Sequence, residues 1–104
     1  MYVILTNKPG KFHTEVDAGI SIIEAYEYRF YGKLKAIYQI ALLQGESKIR
    51  IVEDEAPYVV NEVRSKFLEP FSTLDQARKE LAHLTQFGSI DTSLVQCLHT
   101  QAAG

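Results

Sequence analysis

Between Glu24 and Leu43 the chain alternates twice, with a break at Tyr31-Gly32, and Tyr26, Tyr28 and Phe30 take every second position of the first run. Side chains two apart on a strand share a face, so the pattern predicts a β-hairpin with one aromatic side. Its second run sets Leu34, Ala36, Tyr38 and Ile40 against Lys33, Lys35, Ile37 and Gln39. Gly32 supplies the positive φ that a tight hairpin turn needs. A chain that carries two such long strands must cover their apolar faces, which directs it to a sheet-rich fold.

The flanking segments extend that reading. Tyr2 to Thr6 is apolar and β-branched, Lys8-Pro9-Gly10-Lys11 has the residues of a type II turn, and Phe12, Thr14 and Val16 alternate with His13 and Glu15. The opening therefore reads as a second β-hairpin. Residues 17–23 fit either a loop or one short helical turn capped by Asp17. Lys48 to Val52 reads as a third member of the central meander, with Ile49 and Ile51 inward and Lys48 and Arg50 outward. Glu53-Asp54-Glu55-Ala56-Pro57 is an acidic loop, and Tyr58 reopens an extended stretch that Pro70 ends.

One helix is expected after Pro70. Leu74, Ala77, Leu81 and Leu84 form a stripe at spacings of three or four, and both Ser72 with Asp75 and Thr73 with Gln76 have capping-box spacing. Gly88 is the expected stop. Thr92 to Leu98 is a last strand, and residues 99–104 read as a disordered tail. The expected fold class is α+β: a mainly antiparallel meander, one C-terminal amphipathic helix and a final strand, in a single domain over residues 1–98. A single helix covers only part of such a sheet, so the remaining apolar face closes into a small barrel-like sheet or pairs with a second copy. The order of elements resembles dimeric ferredoxin-like α+β proteins, a likeness of fold that implies no function.

Composition narrows the function classes. The 104 residues carry a formal net charge of -2, which gives no electrostatic reason to expect a polyanion or a membrane surface as partner. Arg29, Lys33 and Lys35 interleave with Tyr26, Tyr28 and Phe30 as in single-strand-binding platforms, but rings and cations fall on opposite faces, so nucleic acid is not the expected partner. The apolar start Met1 to Leu5 is too short for a signal peptide or a membrane span. The single cysteine, Cys97, suits a reducing compartment, and a cytoplasmic address is expected.

No glycine-rich phosphate loop, nucleophile elbow or paired metal-ligand cluster is present in the sequence, and no cofactor or metal is expected. Cys97 and His99 share a strand side but lack a second ligand pair. His13 and Glu15, two apart on one strand, are the candidate acid/base pair, because a carboxylate orients an imidazole and raises its pKa. Tyr26, Tyr28 and Tyr38 are candidate ligand-binding residues for a flat, partly polar molecule.

Two charged patches complete the candidates: Arg29, Lys33, Lys35, Lys48 and Arg50 on one side, and Glu53, Asp54 and Glu55 on the other. The resulting expectation is a small cytoplasmic accessory or regulatory module that binds another protein or a second copy of itself through these patches. The alternative is a binder of, or enzyme acting on, a small aromatic molecule.

Overall fold

The computed structural model describes residues 1–85 and 92–97. Among these residues, seven strands and one helix follow in the order β1 (Tyr2–Asn7), β2 (Phe12–Val16), β3 (Ile20–Phe30), β4 (Lys33–Leu43), β5 (Lys48–Glu53), β6 (Val60–Arg64), α1 (Leu74–Thr85) and β7 (Thr92–Cys97), with a 3-10 turn at Ser65–Phe67. The strands form two antiparallel sheets, β1-β4-β3-β7 and β2-β5-β6. The α+β class holds. Among the described residues neither sheet closes into a barrel, and the single-sheet ferredoxin-like arrangement is replaced by a helix, a four-stranded sheet and a three-stranded sheet in layers.

The central sheet is covered on both sides. Val3, Leu5, Ile20 and Ala41 pack toward Ile49 of the second sheet, while Ile40 packs with Ala77 and Leu81 of α1, flanked by Tyr2, Ile4, Tyr26 and Tyr38. Double coverage explains why β1 and the end of β4 read as unbroken apolar runs. It also explains Gln39, which the alternation puts on a polar face but which is 1% exposed.

The long hairpin forms as its pattern demands. Tyr31 and Gly32 have φ of 51° and 77°, both positive as in a type I′ turn, whose twist matches that of the strands it joins. Two irregularities redistribute its faces. Ile22 opposes Ala41 and Glu24 opposes Ile40, so Ile23 is an inserted residue. Before this bulge the even positions Ile20 and Ile22 face the second sheet; after it Glu24 and Tyr26 face α1, and Ala25 takes over the inter-sheet core. A second shift sets Tyr28 opposite Ala36 but Arg29 opposite Leu34, so Leu34 leaves the face of Ala36 and Tyr38.

Only the base of the expected opening hairpin forms, an antiparallel Lys8–Phe12 bridge in which each N–H donates to the other's carbonyl at 2.9 and 3.0 Å. Pro9 and Gly10 make the turn, with Gly10 at φ 79° and Lys11 N–H donating to the Lys8 carbonyl at 2.8 Å. Beyond it β1 pairs with β4 and β2 with β5. The reason lies in side chains that replace the ladder: Thr14 N–H donates to Asn7 Oδ1 at 2.6 Å, and Thr14 Oγ1 donates to the Thr6 carbonyl at 2.8 Å. Asn7 Nδ2 in turn donates to Gln39 Oε1 at 2.9 Å. The two sheets are joined there by buried side-chain hydrogen bonds.

Other boundaries shift for local reasons. Ala18 and Gly19 form a turn closed by Ile20 N–H on the Asp17 carbonyl, which leaves no helical turn. The Lys48 strand leaves the central meander for the second sheet, where β5 lies between β2 and β6. In α1, Thr73 Oγ1 accepts from Gln76 N–H at 3.1 Å and acts as the N-cap. The buried stripe runs Ala77, Leu81, Thr85, while Leu84 is half exposed. Gly88, Leu98 and the tail at 99–104 lie outside the described residues.

Asn7→Ala removes both buried hydrogen bonds and leaves the Gln39 amide and the Thr14 N–H unpaired, so stability falls by about 2–4 kcal/mol. Asn61→Ala on exposed β6 stays within about 0.5 kcal/mol. Chemical denaturation of the two variants checks this, and equal midpoints would remove Asn7 from its role as the link between sheets.

Candidate functional site

The outer face of the second sheet carries the densest set of polar side chains. Directly opposed residues of antiparallel strands point to the same side. One row is thus His13, Val52 and Val60, the next is Glu15, Arg50 and Glu62, and a third pairs Lys48 with Arg64. The apolar partners Val16 and Ile49 point to the core from the opposite side. Strand alternation alone builds this separation.

His13 is held at both ring nitrogens. Nδ1 lies 2.7 Å from Asp54 Oδ1 and Nε2 lies 3.1 Å from Glu15 Oε2. Two carboxylate acceptors favour the doubly protonated ring, and the hydrogen bond to Asp54, followed by that to Glu15, raises the His13 pKa above its ordinary 6.5. Glu15 shifts the other way, below its ordinary 4.5, chiefly through His13. Arg50 extends the chain of contacts to Asp17 at 3.0 Å and to Glu15 at 3.6 Å, and these carboxylates hold its pKa above the usual arginine value, Asp17 first. Lys48 meets Glu62 at 3.5 Å.

These two contacts tie the Asp54 loop to β2 through His13. Backbone bonds support the same loop: Asp54 N–H donates to the Lys11 carbonyl and Glu53 N–H to that of Val59, both at 2.9 Å. The chain then emerges at Tyr58, Val59 and Val60, which are 60%, 42% and 54% exposed.

The remaining candidates are distributed as follows. Arg29 pairs with Glu27 at 2.7 Å on β3, and exposed Lys33 and Lys35 follow the hairpin turn on β4, whereas Lys48 and Arg50 lie on β5. The five cations are therefore divided between two sheets. Of the acidic run, Asp54 faces His13 while Glu53 and Glu55 are exposed. Tyr28 and Tyr38 stack at 6.1 Å with a 53° tilt, and Tyr26 and Tyr38 pack against the cluster of Ile40 and Leu81 beneath α1. Burial raises the pKa of both Tyr26 and Tyr38.

A second ionic cluster lies under the helix. Glu24 is 8% exposed, accepts from Tyr26 Oη at 2.6 Å, and is bound by Arg78 through Nε at 3.0 Å and also through Nη2. Arg78 holds the Glu24 pKa below the carboxylate norm. Asp17, Glu62, Arg64, Glu24 and Arg78 were not among the sequence candidates. The alternation of Val60, Glu62 and Arg64 carried a signal for two of them; the Glu24–Arg78 pair had none, because the bulge at Ile23 turns Glu24 inward.

A surface recess of about 250 Å3 is lined by Met1, Leu43, Gly45, Leu68 and Pro70, and another of about 380 Å3 by Glu46, Ser47, Lys48 and Arg64. Among the described residues no three His, Cys, Asp or Glu side chains are placed to hold a metal, and no helix is long and apolar enough to cross a membrane. Comparison with family models, with curated proteins and with solved structures gives no match.

A raised folded-state pKa at His13 means that the native chain binds more protons than the unfolded one between 6.5 and the raised value. The His13 contribution is therefore complete below 6.5 and is lost as pH rises through the folded-state value. Glu15, shifted down, contributes above 4.5 and loses its contribution as pH falls. Thermal midpoints taken from about pH 6 to about pH 8 fall for the native sequence relative to His13→Gln, which lacks this titration. Parallel curves for the two proteins would show that the triad does not couple to stability.

Proposed function

We propose that this domain is a protein-interaction module that works by docking a partner chain against the outer side of the second sheet, with the Asp54 loop and β6 as its contact region. The observation that carries this reading is the exposure of Tyr58, Val59 and Val60 together at the start of an outer strand, bordered by the charged rows of the same face. Contiguous exposed apolar residues rimmed by charge are the composition of an interface, with the apolar centre excluding water and the charges setting orientation. Glu15 and Glu62, with Lys48, Arg50 and Arg64, give the face both signs. An accessory or regulatory role in a reducing, cytoplasmic setting fits a small domain with one thiol.

The alternative, a site for a small aromatic molecule at Tyr26, Tyr28 and Tyr38, has weaker support. Tyr26 and Tyr38 pack into the apolar cluster beneath α1.

Native mass spectrometry of the untagged protein from its own host, beside Val60→Lys, separates the readings. The proposal expects assemblies heavier than the 11.8 kDa chain, free of small-molecule adducts, and an assembled fraction lowered about ten-fold or more by Val60→Lys at unchanged secondary structure. A chain of 11.8 kDa carrying a small organic adduct would overturn it in favour of the aromatic ligand.

A further inference from the structure

Among the described residues β6 is, like β2, an edge strand of the second sheet, paired with β5 on one side only. Ladder hydrogen bonds fix which of its backbone groups are used. Glu53 N–H donates to the Val59 carbonyl and Ser65 N–H to the Ser47 carbonyl, so the hydrogen-bonded pairs of the β5–β6 ladder fall on the odd-numbered residues of β6. By the alternation of an antiparallel ladder, Asn61 and Val63 turn their N–H and C=O groups to β5, and Val60, Glu62 and Arg64 turn theirs to the open edge. Val60, Asn61, Glu62 and Arg64 are all exposed. A strand edge with three residues of outward amides is a template for another strand.

The side chains on this edge select the strand that fits. Arg64 stands directly opposite Lys48, a like charge, and among the described residues no carboxylate pairs with it, the nearby Glu62 being paired with Lys48. Resting on the reading of the domain as an interaction module, we propose that the β6 edge binds a second copy of this chain, antiparallel about a two-fold axis at Val63, joining two three-stranded sheets into one of six.

Three two-fold registers join the outward-turned residues while keeping like faces together. An axis at Glu62 sets Glu62 against itself, a like-charge pair that costs stability. An axis at Asn61 sets Val60 against Glu62. The axis at Val63 sets Glu62 against the partner's Arg64, and by symmetry Arg64 against the partner's Glu62. It thereby supplies the carboxylate that Arg64 lacks, twice per dimer. Neither other register pairs Glu62 with Arg64.

Sedimentation and disulfide trapping test this directly. The native chain is expected at twice its 11.8 kDa mass at high concentration. Glu62→Arg and Arg64→Glu each weaken association by about ten-fold or more, since each turns two attractions into two repulsions, and the double variant E62R/R64E restores it. In a Cys97→Ser background, Val63→Cys crosslinks under mild oxidation, because a residue on the axis faces its own copy at a non-hydrogen-bonded position about 4.5 Å apart between Cα atoms. Glu62→Cys and Asn61→Cys, which report the other two axes, do not. The cysteine series leaves Arg64 in place, so it remains informative if a charge reversal impairs folding. A chain that stays monomeric at every concentration overturns the proposal, as does crosslinking at Glu62→Cys or Asn61→Cys in place of Val63→Cys. Assembly with a different protein, lost in Val60→Lys but with no self-association, overturns the second copy while leaving the interaction reading intact.

Discussion

The structure turns on Asn7. Its side chain accepts from the backbone of β2 and donates to Gln39 of β4, at the point where the chain passes from one sheet to the other. A continued β1–β2 ladder would put β2 in the central sheet; the side-chain bonds let β2 peel away and seed a second sheet on β5. His13 and Glu15 occupy the outer face because of that departure. The burial of Gln39 has the same origin, since a polar residue facing another sheet requires a partner and Asn7 supplies it.

The irregular residues position the site as much as the regular ones. Ile23 inverts the parity of β3, which gives α1 an aromatic platform and brings Glu24 under Arg78. The central sheet is thereby occupied on both faces. The second sheet has one side against the core and the other in solvent, and all of its outward charge is collected there. An ion-paired triad at His13 tethers the loop that presents Tyr58 and Val59. Fold and candidate surface are two consequences of one division into sheets.

Much of this was legible in the residues. The Tyr31-Gly32 hairpin, the Thr73-capped helix and the final strand all announce themselves through period and turn chemistry, which are local properties. The failures are non-local. Whether Phe12 to Val16 pairs with Tyr2 to Thr6 depends on where Asn7 spends its hydrogen bonds, and nothing in Lys8-Pro9-Gly10-Lys11 reveals that. The His13–Glu15 contact was visible because it is two residues long; Asp54 lies 41 residues further on and joins only when β5 pairs with β2. The cations appeared as one patch because sequence order brings Arg29, Lys33 and Lys35 close to Lys48, whereas strand order separates them.

The edge of β6 carries the functional account, and its own amide protons report on it most directly. Amide hydrogen exchange by NMR, at dilute and at concentrated protein, resolves the backbone groups that alternate between β5 and the open side. The account predicts that Asn61 and Val63 are protected at both concentrations, while Glu62 and Arg64 exchange rapidly when dilute and become protected when concentrated. Rapid exchange of Glu62 and Arg64 at every concentration would contradict it.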